Sequence, residues 1–325
     1  MTFADLTTEQ QIQSLIAPAN SVLLDYGIAN AELESINHEY NSTFSVTTAN
    51  GSRFALRINV NSGRTEKNVA AEISFINALA ESGGFKLATP VRNLTGNFVS
   101  QVPHEETGRD LLCVLFTWLD GEEVGDEPTL GTVSQIGALM AQLHEATMEM
   151  VLPVGEELPL LNDFMWHEED FLLGPKSTLT PEEKHKVQAA KSAIERELNE
   201  LFDATPVQPI HADLHGWNVM LHDNSLSLFD FDDSGIGLPI QDLATTIYYF
   251  DTKEQVQALK EGYSSVRELP IFSEYQMKAL LLQRRIHLLN YIHETQNPEH
   301  REMLSDYQLE TLRRIEDFLN LDTND

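Results

Sequence analysis

Residues 211–233 hold the side chains best suited to chemistry. The run opens His211-Ala212-Asp213-Leu214-His215-Gly216-Trp217-Asn218 and closes Phe229-Asp230-Phe231-Asp232-Asp233. An Asp, an Asn five residues on, and another Asp twelve beyond that form the layout of a phosphoryl-transfer site. Asp213 is expected to take the proton of an attacking hydroxyl as general base. Asn218 and Asp230 are expected to offer oxygen to magnesium carried on a nucleotide's phosphates, since that hard ion prefers oxygen. The spacing works through an apolar hairpin, with strands near 219–222 and 226–230 around Asp223-Asn224, that brings Asp230 beside the 213–218 loop. Asp232 lies on the same strand face as Asp230 if the strand persists, and then reaches metal or substrate through water. Asp233 caps or ion-pairs in the next turn. His211 is expected to hold the loop by packing and hydrogen bonding, whereas His215 either faces the substrate or is exposed.

A cation for nucleotide phosphates is offered upstream. In Phe54-Ala55-Leu56-Arg57-Ile58, Phe54, Leu56 and Ile58 share one strand face and Arg57 takes the other. Glu72, fifteen residues later on a helix, is placed to orient Arg57 as an ion pair, with Glu66 in the first helical turn as the weaker rival. The chain has neither GxGxxG nor GxxxxGK[ST]. The turn Tyr40-Asn41-Ser42-Thr43-Phe44 stands in the place of a phosphate-covering loop. There the hydroxyls of Ser42 and Thr43 either meet phosphates or decorate an ordinary polar turn. Asp242, in the first turn of a helix opened by Pro239, reads as structural, accepting backbone N–H groups. His144 and Cys113 read as buried packing residues.

An acceptor pocket is expected from the C-terminal helices, drawing on Trp166, His167, Asp170, Tyr248, Arg284, Arg285, His287 and Tyr291. Arg284, His287 and Tyr291 stand three and four apart, so they share a helix face. That face either meets a substrate carboxylate or phosphate, or is an exposed or ion-paired surface.

The elements that must position these groups follow from periodicity. A helix covers roughly the first 26 residues. Strands are expected over 43–48 and 53–60, joined at Asn50-Gly51, then near 87–92, 98–102 and 111–117. Residues 65–81 read as a helix ended by Gly83-Gly84. After Trp118-Leu119-Asp120-Gly121 the chain turns mainly helical, over 129–150, 181–203, 239–250, 273–296 and 304–320, with the strands of 207–230 as the exception. The expected class is α+β: a small β-rich N-terminal lobe, residues 1–117, and a larger mainly helical C-terminal lobe, residues 118–325. The 325 residues, 42% hydrophobic, suffice for two such lobes. No apolar run is long enough for a membrane helix, the N-terminus has no secretion-signal pattern, and Cys113 is alone, so a cytoplasmic protein is expected. The net charge of −30, from 51 acidic and 21 basic side chains, argues against nucleic acid or an anionic membrane as partner. It reads either as attraction of a cationic small molecule or as solubility and adaptation to salt.

Together these residues resemble the aminoglycoside phosphotransferase and choline kinase-like superfamily. The likeness runs from the Asn41 turn through the Arg57 strand, Ala71-Glu72, Phe116-Thr117-Trp118-Leu119-Asp120-Gly121 and Leu143-His144 to the catalytic segment. Asp230-Phe231-Asp232-Asp233 and Gly237-Leu238-Pro239-Ile240-Gln241-Asp242-Leu243 look most like bacterial homoserine kinase type II and the stress-response kinase group. The resemblance implies a bilobal protein-kinase-like fold, ATP bound with Mg²⁺ at a hinge near Phe116 and Trp118, and phosphate transfer to a hydroxyl. It implies Asp213 as base, Asn218 and Asp230 as magnesium ligands, Arg57 as phosphate-binding cation and Glu72 as its partner. The chain departs from the family in having Ala212 where Gly is usual and Arg57 where Lys is common. Three readings follow: a small-molecule kinase acting on an amino alcohol, hydroxy-amino acid, choline-like compound or aminoglycoside; a protein serine/threonine kinase; or a non-catalytic nucleotide-binding member of the fold.

Overall fold

The computed structural model describes residues 3–295 and 297–322. The chain gathers into two compact units. The first holds the residues up to 122 with 151–157 and 222–232; the second holds 123–150, 158–221 and the residues from 233 on. The class is mixed α and β, with a sheet in the N-terminal region and mainly helices in the C-terminal region.

The first unit is built on a five-stranded antiparallel sheet ordered β1-β2-β3-β5-β4. Its strands are β1 (Glu32–His38), β2 (Ser42–Thr47), β3 (Arg53–Ile58), β4 (Val99–His104) and β5 (Arg109–Thr117). Two helices accompany it, α1 (Thr8–Asp25) and α2 (Glu66–Ser82). The β2–β3 turn at Asn50-Gly51 forms as expected, with Gly51 at φ +84° where a side chain would be strained. Phe44, Val46, Leu56, Ile58, Leu111, Cys113 and Leu115 alternate onto one face and bury with Leu15, Val22 and Leu23 of α1. Period-two alternation then assigns Arg57 to the opposite face. Thr65 caps α2 reciprocally with Asn68, fixing where the helix starts and hence where Glu72 falls, two turns later.

Two expectations change here. The run 87–92 is not a strand: it makes only isolated bridges, Leu87 to Leu228 and Pro90 to Phe116, because Pro90 has no N–H for a ladder. Conversely, β1 carries no alternating signal, being a largely exposed edge strand of mostly polar residues.

After the two-residue strand β6 (Glu122–Glu123), the second unit is mainly helical. Its elements run α3 (Leu130–Thr147), α4 (Pro181–Ala204), β7 (Gln208–Ile210) and β8 (Val219–His222); β9 (Ser225–Leu228) then belongs to the first unit. There follow β10 (Gly235–Gly237), α5 (Pro239–Tyr248), α6 (Lys253–Ser264), α7 (Glu274–Glu294), α8 (Pro298–Glu302) and α9 (Leu304–Asp322). Helix α6 was not anticipated, since most of its residues are polar or charged and Ala258, Leu259 and Tyr263 are its buried apolar ones. Tertiary packing makes it. Gly137 and Gly262 let α3 and α6 touch backbone to backbone: a Cβ on either would overlap a carbonyl of the facing helix, Leu259 or Ser134.

Residues 222–232 return to the first unit. Asp223 and Asn224 are both left-handed, at φ +47° and +59°, the two-residue turn expected of a hairpin. Leu228 is clasped by residues 86–88: its N–H donates to Lys86 O at 2.9 Å and Ala88 N–H donates to its carbonyl at 3.3 Å. Phe231 meets Phe75 of α2 edge-on at 5.4 Å. These contacts pin residues 230–232 against α2.

Because α3 also carries His144, the glycine contact bears on the site described next. Gly262→Ala is expected to destabilise the protein by about 1–3 kcal/mol, as overpacking outweighs the gain in helix propensity. A thermal melt lower than wild type checks this; a higher one refutes the close-contact reading.

Candidate active site

In the first unit the chemistry centres on Arg57, only 5% exposed. Its guanidinium forks onto Glu72, Nη1 to Oε1 at 2.8 Å and Nη2 to Oε2 at 2.5 Å. Nη1 also faces Asp232 Oδ1 at 3.8 Å, and Asn41 Nδ2 donates to Asp232 Oδ2 at 2.8 Å. Burial opposes the charge on Arg57, but Glu72 and Asp232 outweigh it and hold the group cationic, Asp230 adding to the same field. Arg64 also acts on Glu72, so the field holds a second cation, and Asp232 Oδ1 is buried without a hydrogen-bond partner. A buried carboxylate oxygen without a partner is one that a divalent cation would suit.

In the second unit, strand β7 delivers the loop 211–218, and α5 holds it. Asp242, fully buried, accepts from His211 N–H at 3.1 Å and from Ala212 N–H at 2.6 Å. His144 Nε2 donates to the same carboxylate at 2.9 Å, and its Nδ1 pairs with Tyr263 Oη at 2.9 Å. One turn along α5, Thr245 and Thr246 hydroxyls donate to the carbonyls of Ala212 and Leu214 at 3.3 and 2.5 Å. Ala212 is left-handed at φ +66°, a conformation that costs an alanine about 1–2 kcal/mol. Its methyl group is buried in a cluster with Leu161 and Ile210, against which Trp166 packs, and that burial offsets part of the strain.

The loop so held presents Asp213. Its Oδ2 accepts from Asn218 Nδ2 at 2.9 Å and from His215 Nε2 at 3.2 Å. His215 Nδ1 accepts Trp217 N–H at 3.2 Å, which leaves Nε2 as the protonated nitrogen of the neutral ring. Oδ1 is paired with Arg284 Nη2, which also donates to Tyr249 Oη at 2.8 Å. Burial alone would raise the Asp213 carboxyl; Arg284 and then His215 outweigh it and hold it well below the usual carboxylate range. Asn218 spends its amide N–H groups on Asp213, at the main-chain carbonyl (2.8 Å) and at Oδ2. Its Oδ1 has no hydrogen-bond partner among the described residues, so it is open to a hard cation.

The other expected site residues are placed as follows. Thr43 lies directly across from Arg57 in the β2–β3 register. Ser42 does not lie on the phosphate side: it opposes Ile58, is fully buried, and shares its hydroxyl with His38 Nδ1 at 2.6 Å. Phe116 is nearly buried under Arg57, ring centroid 5.2 Å from the guanidinium carbon, and Trp118 is covered by Arg53 at 3.7 Å. Asp230 and Asp232 do not share a strand face, because β9 stops at Leu228 and Asp230 turns left-handed at φ +58°. The shared face expected of α7 splits. Arg284 turns to Asp213, and His287 Nε2 donates to Phe164 O at 2.6 Å with its ring 4.7 Å from Trp166. Tyr291 is drawn off to His300 at 2.9 Å, which removes its hydroxyl from that set. Asp170 caps a turn through the N–H groups of Leu172 and Leu173. Tyr248 and Arg285 join Tyr307 in a separate, partly buried cluster. Sequence reasoning missed Asn41 on Asp232, Tyr249 on Arg284, and the two threonines. Only the threonines carry a signal, sitting three and four residues after Asp242 on one helix face.

The fold is the one shared by kinase-like phosphotransferases. The chain belongs to the phosphotransferase enzyme family, whose model matches residues 32–275. Amicoumacin kinase of Bacillus subtilis (strain 168) is 27% identical over 197 residues; the match spans 60% of this chain and 56% of that relative. Among solved structures, a microcompartment-associated aminopropanol kinase superposes with TM-score 0.80 at 23% identity, over 94% of this chain and 98% of that one. An amicoumacin kinase solved with AMP-PNP, Ca²⁺ and its ligand gives 0.74 at 18% identity, over 95% and 96%. A spectinomycin phosphotransferase with ADP and spectinomycin gives 0.62 at 15%, over 93% and 98%. No described helix is long and apolar enough to cross a membrane.

Two outcomes follow from this geometry. Asp242→Ala leaves His144 and two loop N–H groups buried without an acceptor. It is expected to cost on the order of 3–5 kcal/mol, read as a large drop in melting temperature. Burial pulls His287 down to about 4 against the opposing Phe164 carbonyl. An unfolded histidine, near 6.5, binds a proton that the folded one refuses. The stability it contributes is therefore complete above pH 6.5 and lost as pH falls toward 4. Melting temperature should decline through that window, and His287→Gln should flatten the decline; an unchanged profile in the variant counts against it.

Proposed function

We propose that the protein transfers the γ-phosphoryl group of ATP to a hydroxyl of a small molecule. The observation that carries this reading is the Asp213 carboxylate, ionised, fixed by Asn218 and His215, and backed by a loop that Asp242 holds rigid. Asp213 receives the acceptor's proton as the oxygen–phosphorus bond forms. Arg57, oriented by Glu72, binds nucleotide phosphates; its fixed charge and forked donors suit phosphate oxygens. Asn218, whose Oδ1 has no hydrogen-bond partner, and Asp230 are assigned to magnesium on their spacing along the chain, as oxygen donors of the kind that hard ion prefers. When bound, that ion neutralises charge on the phosphates. Thr43, Phe116 and Trp118 are the further residues assigned to the nucleotide.

A small acceptor is favoured over a protein. The stretch between Asp233 and Pro239 is occupied by β10, paired residue by residue with β7, so no long segment is available there as a peptide platform. The related kinases named above take small molecules by their descriptions, which supports the same class here.

The roles separate experimentally. Asp213→Ala should lower ADP release with a turned-over acceptor by about a hundredfold or more while Mg–nucleotide binding stays within several-fold. Asp230→Ala should weaken Mg–nucleotide binding itself, read by titration of a fluorescent nucleotide. Both variants matching wild type on an identified acceptor would reject the mechanism.

A further inference from the structure

Counting donors on Asp213 shows where an acceptor hydroxyl has room. Oδ2 already takes two donors, Asn218 and His215, which fill its lone pairs. Oδ1 takes only Arg284, so one lone pair remains. A hydroxyl directed there lies next to the Arg284 guanidinium. That guanidinium is not used up: Nη2 serves Asp213 and Tyr249, while Nε, on the same edge of the planar group, is buried and has no hydrogen-bond partner.

A second donor in the same neighbourhood is also unspent. The indole Nε1 of Trp166 is buried without a partner. Trp166 packs against the cluster of Leu161, Ile210 and Ala212, the last of these the residue before the base, and against His287, one turn along α7 from Arg284. Arg284 and His287 stand three residues apart on α7, which makes them neighbours along the helix. Trp166 and His167 are held left-handed at φ +51° and +67°, an arrangement stable only where surrounding structure enforces it. Guanidinium and indole are donors only. Two such groups left unsatisfied beside the base call for an acceptor-only partner, and buried donors without one are costly.

Resting on the kinase reading above, we propose that the phosphate acceptor carries a carboxylate close to its hydroxyl. Arg284 Nε and Trp166 Nε1 bind that carboxylate while the hydroxyl sits on Asp213 Oδ1. Arg284 is then a specificity-determining residue with two partners at once, the base on one side of its edge and the acceptor's carboxylate on the other. The dispersed negative charge of the chain does not oppose this, because recognition occurs at a buried cation where short-range pairing outweighs distant screened charge.

The test is ADP release with Mg-ATP on matched acceptors: 3-hydroxy and 4-hydroxy acids, the carboxamide of each, and amino alcohols of the same length, with Asp213→Ala as blank. Turnover of an acid at a kcat/KM about tenfold or more above its carboxamide is expected, as for loss of a charge-assisted hydrogen bond. Trp166→Phe, which removes only the N–H, should raise KM for the acid several-fold and shrink the acid-to-amide ratio. Arg284→Lys should do so more strongly; should that variant not fold, Trp166→Phe still decides. Asp213-dependent turnover of amino alcohols or carboxamides in preference to acids overturns the carboxylate proposal and leaves the kinase reading standing. Nucleotide binding without Asp213-dependent turnover of any acceptor overturns both.

Discussion

The second unit hangs its chemistry on one buried carboxylate. Asp242 is fully enclosed, yet it accepts from His144 and from two successive main-chain N–H groups of the 211–218 loop. A buried ion is tolerated only when its lone pairs are filled, and here they are filled by the groups whose positions matter. Asp242 stands in the first turn of α5, where the helix end favours negative charge. From that anchor the order runs outward: loop backbone, then Asp213, then the donors on its two oxygens.

The two ion pairs, one in each unit, use arginine in different ways. Arg57 gives both terminal nitrogens to Glu72 for orientation and keeps Nε, buried, without a hydrogen-bond partner, while its field is shared with Asp232 and Asp230. Arg284 is only partly spent, holding Asp213 and Tyr249 through one nitrogen. A lysine could imitate the charge in either place but not the planar set of donors. The family's usual Lys at the Arg57 position is a point charge; the fork explains how this chain keeps Glu72 buried with both oxygens satisfied.

Much of this was legible in the sequence, for identifiable reasons. Asp213, Asn218 and Asp230 stand at spacings fixed by a short loop and a two-residue turn, so local rules reach them. Arg57 and Glu72 were legible because strand alternation and a capped helix set their faces. The failures also have causes. Ser42 is one strand position from Thr43, and a one-residue shift in register reverses the face. Strand β9 ended early, and the left-handed turn at Asp230 broke the alternation that would have paired it with Asp232. Arg284 meeting Asp213, and α6 docking through Gly262, depend on which helices pack together, which periodicity does not encode.

The first unit is discontinuous along the chain, and this bears on how it comes into being. Its sheet is complete in sequence by Thr117, but the segment that clasps Lys86–Ala88 and brings Asp230 and Asp232 to Arg57 ends only at residue 232. Chains grow from the N-terminus, and domains generally fold as units while they emerge. During translation of the intervening hundred or so residues, Arg57 has Glu72 but lacks Asp232, and Phe75 lacks Phe231. The nascent sheet must therefore persist with part of its charge balance and part of its apolar cover still unsynthesised. That interval is where the growing chain is most exposed to wrong pairing, and where slowing the ribosome would matter most.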